Sequence, residues 1–180
     1  MILLGQVAAL EKTRRPGLGF VRGGYFSLGL ERAASTGPDS QTPYFAGAIL
    51  EKNGAILLEE TAEGLRPPQV RITSRDRART ALLEHFAEQG LSMRLEQAFA
   101  IFDMPDGAHF TYFRATAETS EVGGLGRFVP LSELDTAEFI SQAHRTMLLR
   151  FAAEHKTRHF GLYVGDAETG NLHKSDRGER

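Results

Sequence analysis

The chain contains 180 residues, of which 41% are hydrophobic and 24% charged, and its formal net charge is −2. These values are typical of a water-soluble globular protein, and the small net charge gives no electrostatic reason to expect nucleic acid or a membrane as a partner. The lack of cysteine excludes disulfides, thiolate metal sites and a cysteine nucleophile. With no apolar run of roughly 20 residues and no signal-peptide pattern, the sequence predicts a cytoplasmic protein.

The front of the chain is predicted to form two strands followed by a linker. Residues 2–9 and 18–28 are apolar and of strand length, and residues 11–17 between them carry a Pro-Gly turn signal. Residues 31–43 are rich in Ser, Thr, Gly and Pro, which is typical of a linker. We therefore predict a domain boundary after residue 43.

A β-hairpin is predicted at residues 44–60. Two apolar runs flank Asn53-Gly54, and both central residues of a type I′ turn need a positive φ, which Asn and Gly tolerate best. After Pro67-Pro68, residues 70–73 predict a short strand.

The next predicted element is a helix from Ser74 to Gln89, with Ser74 as its N-cap and Gly90 as its stop signal. At 100° per residue, Arg77, Glu84 and Glu88 fall together on the polar face. The opposite, buried face is predicted to consist of Ala78, Ala81, Leu82, His85 and Phe86.

Further strands and a closing helix follow. Residues 95–103 and 109–117 predict a second hairpin, and residues 128–131 a short strand. A long helix is predicted from Ser132 or Asp135 to Glu154, with an apolar stripe of Phe139, Ile140, Ala143, Met147, Leu148 and Phe151. The segments 160–164 and 171–173 predict a last hairpin. This order indicates an α+β protein, with helices on both faces of a mixed sheet.

Residues 46–151 resemble the Nudix hydrolase family. Its signature, the Nudix box, reads Gly, five residues, Glu, seven residues, then Arg-Glu-apolar-any-Glu-Glu-any-Gly-apolar. Gly90-Leu91 ends the predicted helix at the matching distance from Pro67-Pro68, GAILEKNGAILLEE resembles the family's first hairpin, and GRFVPLSEL resembles the segment before its last helix. The resemblance covers roughly 110 residues. It implies a Nudix-like α/β/α sandwich at residues 44–155, preceded by the N-terminal strands and followed by a C-terminal hairpin and tail at 156–180.

The Nudix box is degenerate. Four signature residues, Gly, Glu, Arg and Glu, are replaced by Gln69, Arg75, Leu83 and Ala87, whereas Glu84, Glu88, Gly90 and Leu91 match. The resemblance makes Glu84 and Glu88 the candidate catalytic residues and ligands of Mg²⁺ or Mn²⁺, in a metal-dependent pyrophosphohydrolase. Two carboxylates one turn apart are a poor basis for a cluster of several ions. The alternative is that both belong to a solvated helix face.

Arginines crowd the loop before this helix. The guanidinium group pairs well with phosphate oxygens, so Arg71, Arg75 and Arg77 are the candidate substrate-binding residues, with Arg79 beside them. The alternative is a solvated basic turn. Further carboxylates stand on loops where the family often places an additional one: Asp103, Asp106 and Glu121.

The front segment resembles a different family. PGLGFVRGGY, residues 16–25, is similar to the end of the flavin reductase split barrel. About 30 residues cannot make a flavin barrel, so we do not expect FMN on this chain alone. The alternative to a remnant of a flavin reductase domain is a local extension, whose strands pack against residues 160–172 or against a second subunit. The predicted partner is therefore a homodimer mate or a flavin reductase domain.

Two functions remain open. The first is a Nudix-like domain that recognises a nucleoside diphosphate derivative, with weak or absent pyrophosphatase activity. The second is a non-catalytic ligand-sensing or interaction module of a flavin reductase fusion.

Overall fold

The computed structural model describes residues 18–21, 24–27, 43–72, 78–118 and 124–174. The strands are β1 Leu18–Val21, β2 Gly24–Ser27, β3 Tyr44–Lys52, β4 Ala55–Thr61, β5 Gly64–Arg66, β6 Gln69–Ile72, β7 Met93–Asp103, β8 His109–Ala117, β9 Arg127–Pro130, β10 Gly161–Asp166 and β11 Gly170–Lys174. The helices are α1 Ala78–Glu88, a 3₁₀ helix Leu131–Thr136, and α2 Gln142–Thr157.

Strands β3 to β11 form one mixed sheet in the order β11-β10-β7-β8-β3-β4-β5, with β6 paired to β3 and β9 paired to β4. The pairs β3–β8 and β10–β7 are parallel, whereas the β3–β4, β7–β8 and β10–β11 hairpins are antiparallel. All three hairpins were predicted. The first turns at Asn53 and Gly54, whose φ angles are 53° and 77°, as a type I′ turn requires.

The two helices cover opposite faces of this sheet. On one face, α1 buries Ala78, Leu82 and Phe86 in a cluster with the alternate β3 residues Tyr44, Ala46, Ala48 and Leu50. On the other face, α2 buries Ala143, Met147, Leu148 and Phe151 in a cluster with Ile49, Phe99 and Tyr112. The predicted α/β/α sandwich is confirmed, as is the burial of these residues on both helices. The other members of the predicted stripes are only partly buried: Ala81, His85, Phe139 and Ile140.

The predicted start of the last helix is wrong. Residues Leu131–Thr136 form the 3₁₀ helix, and the α-helix begins only at Gln142, with Ser141 as its N-cap. The backbone between these two helices forms hydrogen bonds with β5 instead: Leu65 N–H donates to Glu138 O, and Ile140 N–H donates to Leu65 O. Pairing with β5, which the sequence did not predict, therefore takes Phe139 and Ile140 out of the helix.

The front segment is described only at β1 and β2, which pair with each other in antiparallel register from Leu18↔Ser27 to Val21↔Gly24. The predicted strand at residues 2–9 and the linker up to residue 42 lie outside the described residues, as does the predicted N-cap Ser74. Within the described ranges, no helix is both long and apolar enough to cross a membrane.

Candidate functional site

The polar face of α1 carries the two candidate metal ligands. Glu84 and Glu88 are both exposed, one helical turn apart, as predicted for either a site or a solvated face. Nowhere in the described part of the chain do three or more His, Asp or Glu side chains come together in a group that could hold a metal ion. Among the described residues, this pair lies on the exposed face of α1 and belongs to no such group.

An apolar cleft lies beside these glutamates. Leu83 and Ala87 are also exposed, and the Leu83 side chain keeps 40% of its surface accessible. They border a cleft of about 380 Å³ lined by Leu83, Ala87, Gly90, Leu91, Ser92 and Met93. The two positions where the family signature has Arg and Glu thus present methyl groups to solvent, which cannot bind a cation or orient a carboxylate.

The candidate substrate-binding arginines are only partly described. Arg71 is exposed on β6, where it pairs across the strands with Phe45. Arg79 is partly buried on α1, and its guanidinium carbon lies 4.9 Å from the centre of the Phe113 ring. Arg75 and Arg77 lie outside the described residues. Arg71 is therefore the one candidate that the structure places on an accessible surface.

The additional loop carboxylates have local structural roles. Asp103 Oδ1 lies 2.6 Å from His109 Nδ1 across the β7–β8 hairpin, and Asp106 accepts a hydrogen bond from the Ala108 N–H. Both stabilise this hairpin turn. Glu121 lies outside the described residues.

A second cleft, of about 470 Å³, lies between the β4–β5 turn and the 3₁₀ helix. Its charged lining consists of Glu60, Glu63, Glu133, Glu138 and Arg127. Four carboxylates against one guanidinium give this cleft a negative potential, which opposes the binding of a polyphosphate.

A buried hydrogen-bond chain crosses the α2 side of the sheet. Tyr112 on β8 is fully buried, and its hydroxyl donates to Gln69 Oε1 on β6. The same hydroxyl oxygen lies 2.8 Å from Nε2 of His144, whose side chain is also buried. His144 Nδ1 lies 2.7 Å from Ser141 Oγ, which also caps α2.

The surroundings of this hydrogen-bond chain favour the neutral forms of its two titratable side chains, His144 and Tyr112. Burial is the main cause that lowers the pKa of His144 to about 4, and the nearby Arg66 guanidinium lowers it further. Burial also raises the pKa of the Tyr112 hydroxyl far above its usual value. The His144 ring stands nearly perpendicular to the rings of Phe102, Phe110 and Tyr112, with centroids 5.5–5.7 Å apart. His144 is thus held neutral inside an aromatic cage.

The sequence did not predict this hydrogen-bond network. His144 falls on the buried face of α2, between Ala143 and Met147, and a histidine within an apolar stripe is the signal that could have found it. Its partners could not be assigned, because Gln69 and Tyr112 belong to strands separated by 43 residues. For Gln69 the sequence indicates only that it replaces the first glycine of the signature.

Comparison with solved structures identifies the fold. A Nudix hydrolase from Nitrosomonas europaea matches with a TM-score of 0.60, over 84% of this chain and 93% of that protein, at 15% sequence identity. The fold is Nudix-like. At this identity the likeness extends to the fold alone. No protein-family model matches the sequence.

Comparison with curated proteins leads to reductases. A protein from Rhizobium meliloti named "Probable flavin reductase" is 33% identical over 177 residues, which are 96% of this chain and 55% of that protein. The reductase component of a flavin-dependent trigonelline monooxygenase from Acinetobacter baylyi is 26% identical over 95% of this chain and 54% of its own length. The chain thus spans about half the length of the curated relatives it matches. Because the alignments cover nearly the whole chain, the similarity includes both the front segment and the Nudix-like region.

Proposed function

We propose that this chain is the Nudix-like module of a flavin reductase, that it recognises a nucleoside diphosphate derivative, and that its pyrophosphatase activity is weak or absent. The Nudix-like fold and the names of the two curated relatives support the first part of the proposal. The surface of α1 supports the last part.

The observation that carries the proposal is the side-chain composition of the exposed α1 face. Hard divalent ions take about six oxygen ligands, and a hydrolytic site needs enough protein carboxylates to hold them against a diphosphate. Here Leu83 and Ala87 line an apolar cleft beside Glu84 and Glu88. We infer that the degenerate box holds one Mg²⁺ or Mn²⁺ weakly at most, which removes most of the charge stabilisation at phosphorus.

Recognition without turnover would rely on arginine. Arg71 is exposed, and its cross-strand neighbour on β3 is Phe45. A guanidinium binds phosphate oxygens through two parallel hydrogen bonds. A flavin- or nicotinamide-linked dinucleotide is the ligand we expect, because flavin reductases work with such molecules.

The test separates binding from hydrolysis. With Mn²⁺ present, we expect no turnover of ADP-ribose, NADH or FAD near the roughly 1–10³ s⁻¹ of ordinary enzymes. Calorimetry without metal should detect binding of one of them, and Arg71→Ala should weaken it. Arg94→Ala removes another surface arginine, with a side chain 59% exposed, and should leave binding unchanged.

Two results would contradict the proposal. Turnover within the ordinary range that is lost in Glu88→Gln, but kept in the exposed control Glu168→Gln, would mean that the site is a working hydrolase. Failure of every dinucleotide in the panel to bind would remove the recognition function.

A second candidate, an interaction module, is favoured by one observation. Leu83 and Leu172 are the large hydrophobic side chains that are exposed among the described residues, and Leu83 borders the cleft on α1. Its occupant would be the reductase part of a longer protein, since the curated relatives are nearly twice as long as this chain. A separately produced flavin reductase domain should then be retained by the wild-type chain and by Leu172→Glu, and not by Leu83→Glu. Equal retention by both variants would exclude this surface.

A further inference from the structure

The buried chain of Ser141, His144, Tyr112 and Gln69 connects three separate elements. It links the first turn of α2 through β8 to β6, with Tyr112 and His144 having 0% and 1% of their surfaces exposed. Such networks are costly unless every member is satisfied, because an unpaired polar group in a low-dielectric core loses its hydration without compensation. The arrangement therefore depends on the protonation state of His144.

Backbone geometry makes this chain possible. Gly47 on β3 pairs with Gln69 on one side and with Tyr112 on the other, so the three residues form one row across the sheet. The Tyr112 ring crosses Gly47 to reach Gln69, since a Cβ atom at Gly47 would lie 2.6 Å from Tyr112 Cδ1. The tyrosine hydroxyl is thereby held between the side chains of β6 and α2.

The hydrogen bonds fix the tautomer of His144. Because the Tyr112 hydroxyl donates to Gln69, its oxygen accepts from His144 Nε2–H. Nδ1 then has a lone pair and accepts from the Ser141 hydroxyl, whose oxygen in turn accepts from the His144 backbone N–H. This assignment gives both imidazole nitrogens and both hydroxyl groups a partner only while the imidazole is neutral.

We propose that these four residues form a proton-sensitive latch, which holds the start of α2 against β8 and β6 while His144 is neutral and loosens it when His144 is protonated. A protonated ring donates at both nitrogens, so the Ser141 hydroxyl must turn its proton away from Nδ1 while still capping the helix. The latch is independent of the function proposed above.

Among the described residues, the hydrogen-bond partners of His144 include no carboxylate that would stabilise its cation. On the sheet side it meets the rings of Phe102, Phe110 and Tyr112. The charged group that lowers its pKa is Arg66 on β5, which is already paired with Glu59 on β4 at 2.8 Å. Burial and the neighbouring cation both oppose protonation in the folded state.

The sign of the effect follows from proton linkage. A histidine in the unfolded chain titrates near pH 6.5, whereas burial and Arg66 lower the pKa of folded His144 to about 4. Between these pH values the unfolded chain binds up to one proton more than the folded chain. The ratio of folded to unfolded protein should therefore fall by up to about tenfold for each unit by which the pH is lowered.

The experiment compares urea unfolding of the wild type, His144→Gln and His159→Gln at several pH values from about 7.5 to 4.5. Glutamine does not titrate, so in His144→Gln the free energy of unfolding should depend less steeply on pH, by the equivalent of up to one bound proton. His159 is exposed after the end of α2, and its replacement should leave the slope unchanged. After correction for the intrinsic exchange rate, which itself falls on acidification, the protection of the amide hydrogens should decrease as the pH is lowered, more at residues 141–145 and 69–71 than at the buried β7–β8 pair.

A second variant keeps the test usable if His144→Gln does not fold. Tyr112→Phe removes only the hydroxyl, and at pH 7 it should lower the amide protection at the start of α2 to the level expected of the wild type near pH 5. The proposal is overturned if the wild type and His144→Gln have parallel pH slopes. A uniform loss of amide protection over the whole sheet would overturn it as well, because acid would then weaken the fold without releasing a latch.

Discussion

Gly47→Ala tests whether the buried hydrogen bonds between Gln69, Tyr112 and His144 require a residue without a side chain at position 47. The added Cβ would lie 2.6 Å from Tyr112 Cδ1 and 3.1 Å from Pro68 O, well inside normal contact distance. Neither neighbour yields easily, because Tyr112 is fully buried and the Pro68 carbonyl accepts from the Ala48 N–H. The substitution therefore moves the ring, the β6 edge or both.

The magnitude has two parts. Overpacking a filled core costs about 1–3 kcal/mol. If the ring shifts, the Tyr112 hydroxyl and His144 Nε2 lose their geometry, and an unsatisfied buried group costs about 1–3 kcal/mol more. We expect Gly47→Ala to lower the free energy of unfolding by about 2–6 kcal/mol, which is a large part of a typical domain stability.

Urea unfolding followed by far-ultraviolet circular dichroism is the assay, since the chain has no tryptophan. Gly54→Ala is the matched control: nothing lies within 4 Å of its Cβ, and its φ of +77° makes alanine cost only about 1–2 kcal/mol. In a Tyr112→Leu background, Gly47→Ala should cost at least about 1 kcal/mol less than in the wild type. A loss for Gly47→Ala no larger than that for Gly54→Ala would refute the reasoning.

Three further outcomes are expected. Glu88→Gln should change the free energy of unfolding by no more than about 0.5 kcal/mol, as substitutions at exposed positions usually do. Calorimetry of the wild type should find little Mg²⁺ binding at millimolar concentration. Saturable Mg²⁺ binding that is lost in Glu88→Gln would contradict the weak metal site. Phe151→Ala should cost about 3–5 kcal/mol in urea unfolding, because its ring is 2% exposed and packs edge-on against Phe99, and a cost below about 1 kcal/mol would be inconsistent with this packing. Ser141→Ala should cost about 1–3 kcal/mol through the lost N-cap and the unpaired His144 Nδ1, whereas the exposed control Ser132→Ala should be nearly neutral.

Local sequence signals determined the secondary structure where they were strong. Asn53-Gly54 fixed the first hairpin because its turn needs two positive φ values, and the 3.6-residue spacing of Leu82 and Phe86 fixed the buried face of α1. The order of these elements was sufficient for the α+β class. It also led to the Nudix-like sandwich, because the family resemblance depends on local segments in a fixed order.

Contacts between distant segments decided the rest. The sequence could not place the start of α2, since Phe139 and Ile140 have helical spacing and lose the helix only through backbone bonds to Leu65, far away in the chain. It could not assemble Gln69, Tyr112 and His144, because a row across a sheet depends on strand order and register, which no local pattern encodes. The exposure of Glu84 and Glu88 was predicted from helical periodicity, but the apolar cleft beside them required Leu91 and Met93 to fold back next to Leu83. The sequence alone therefore determined the elements and their faces, and the tertiary structure decided which side chains meet, because those meetings depend on chain segments that are remote in sequence.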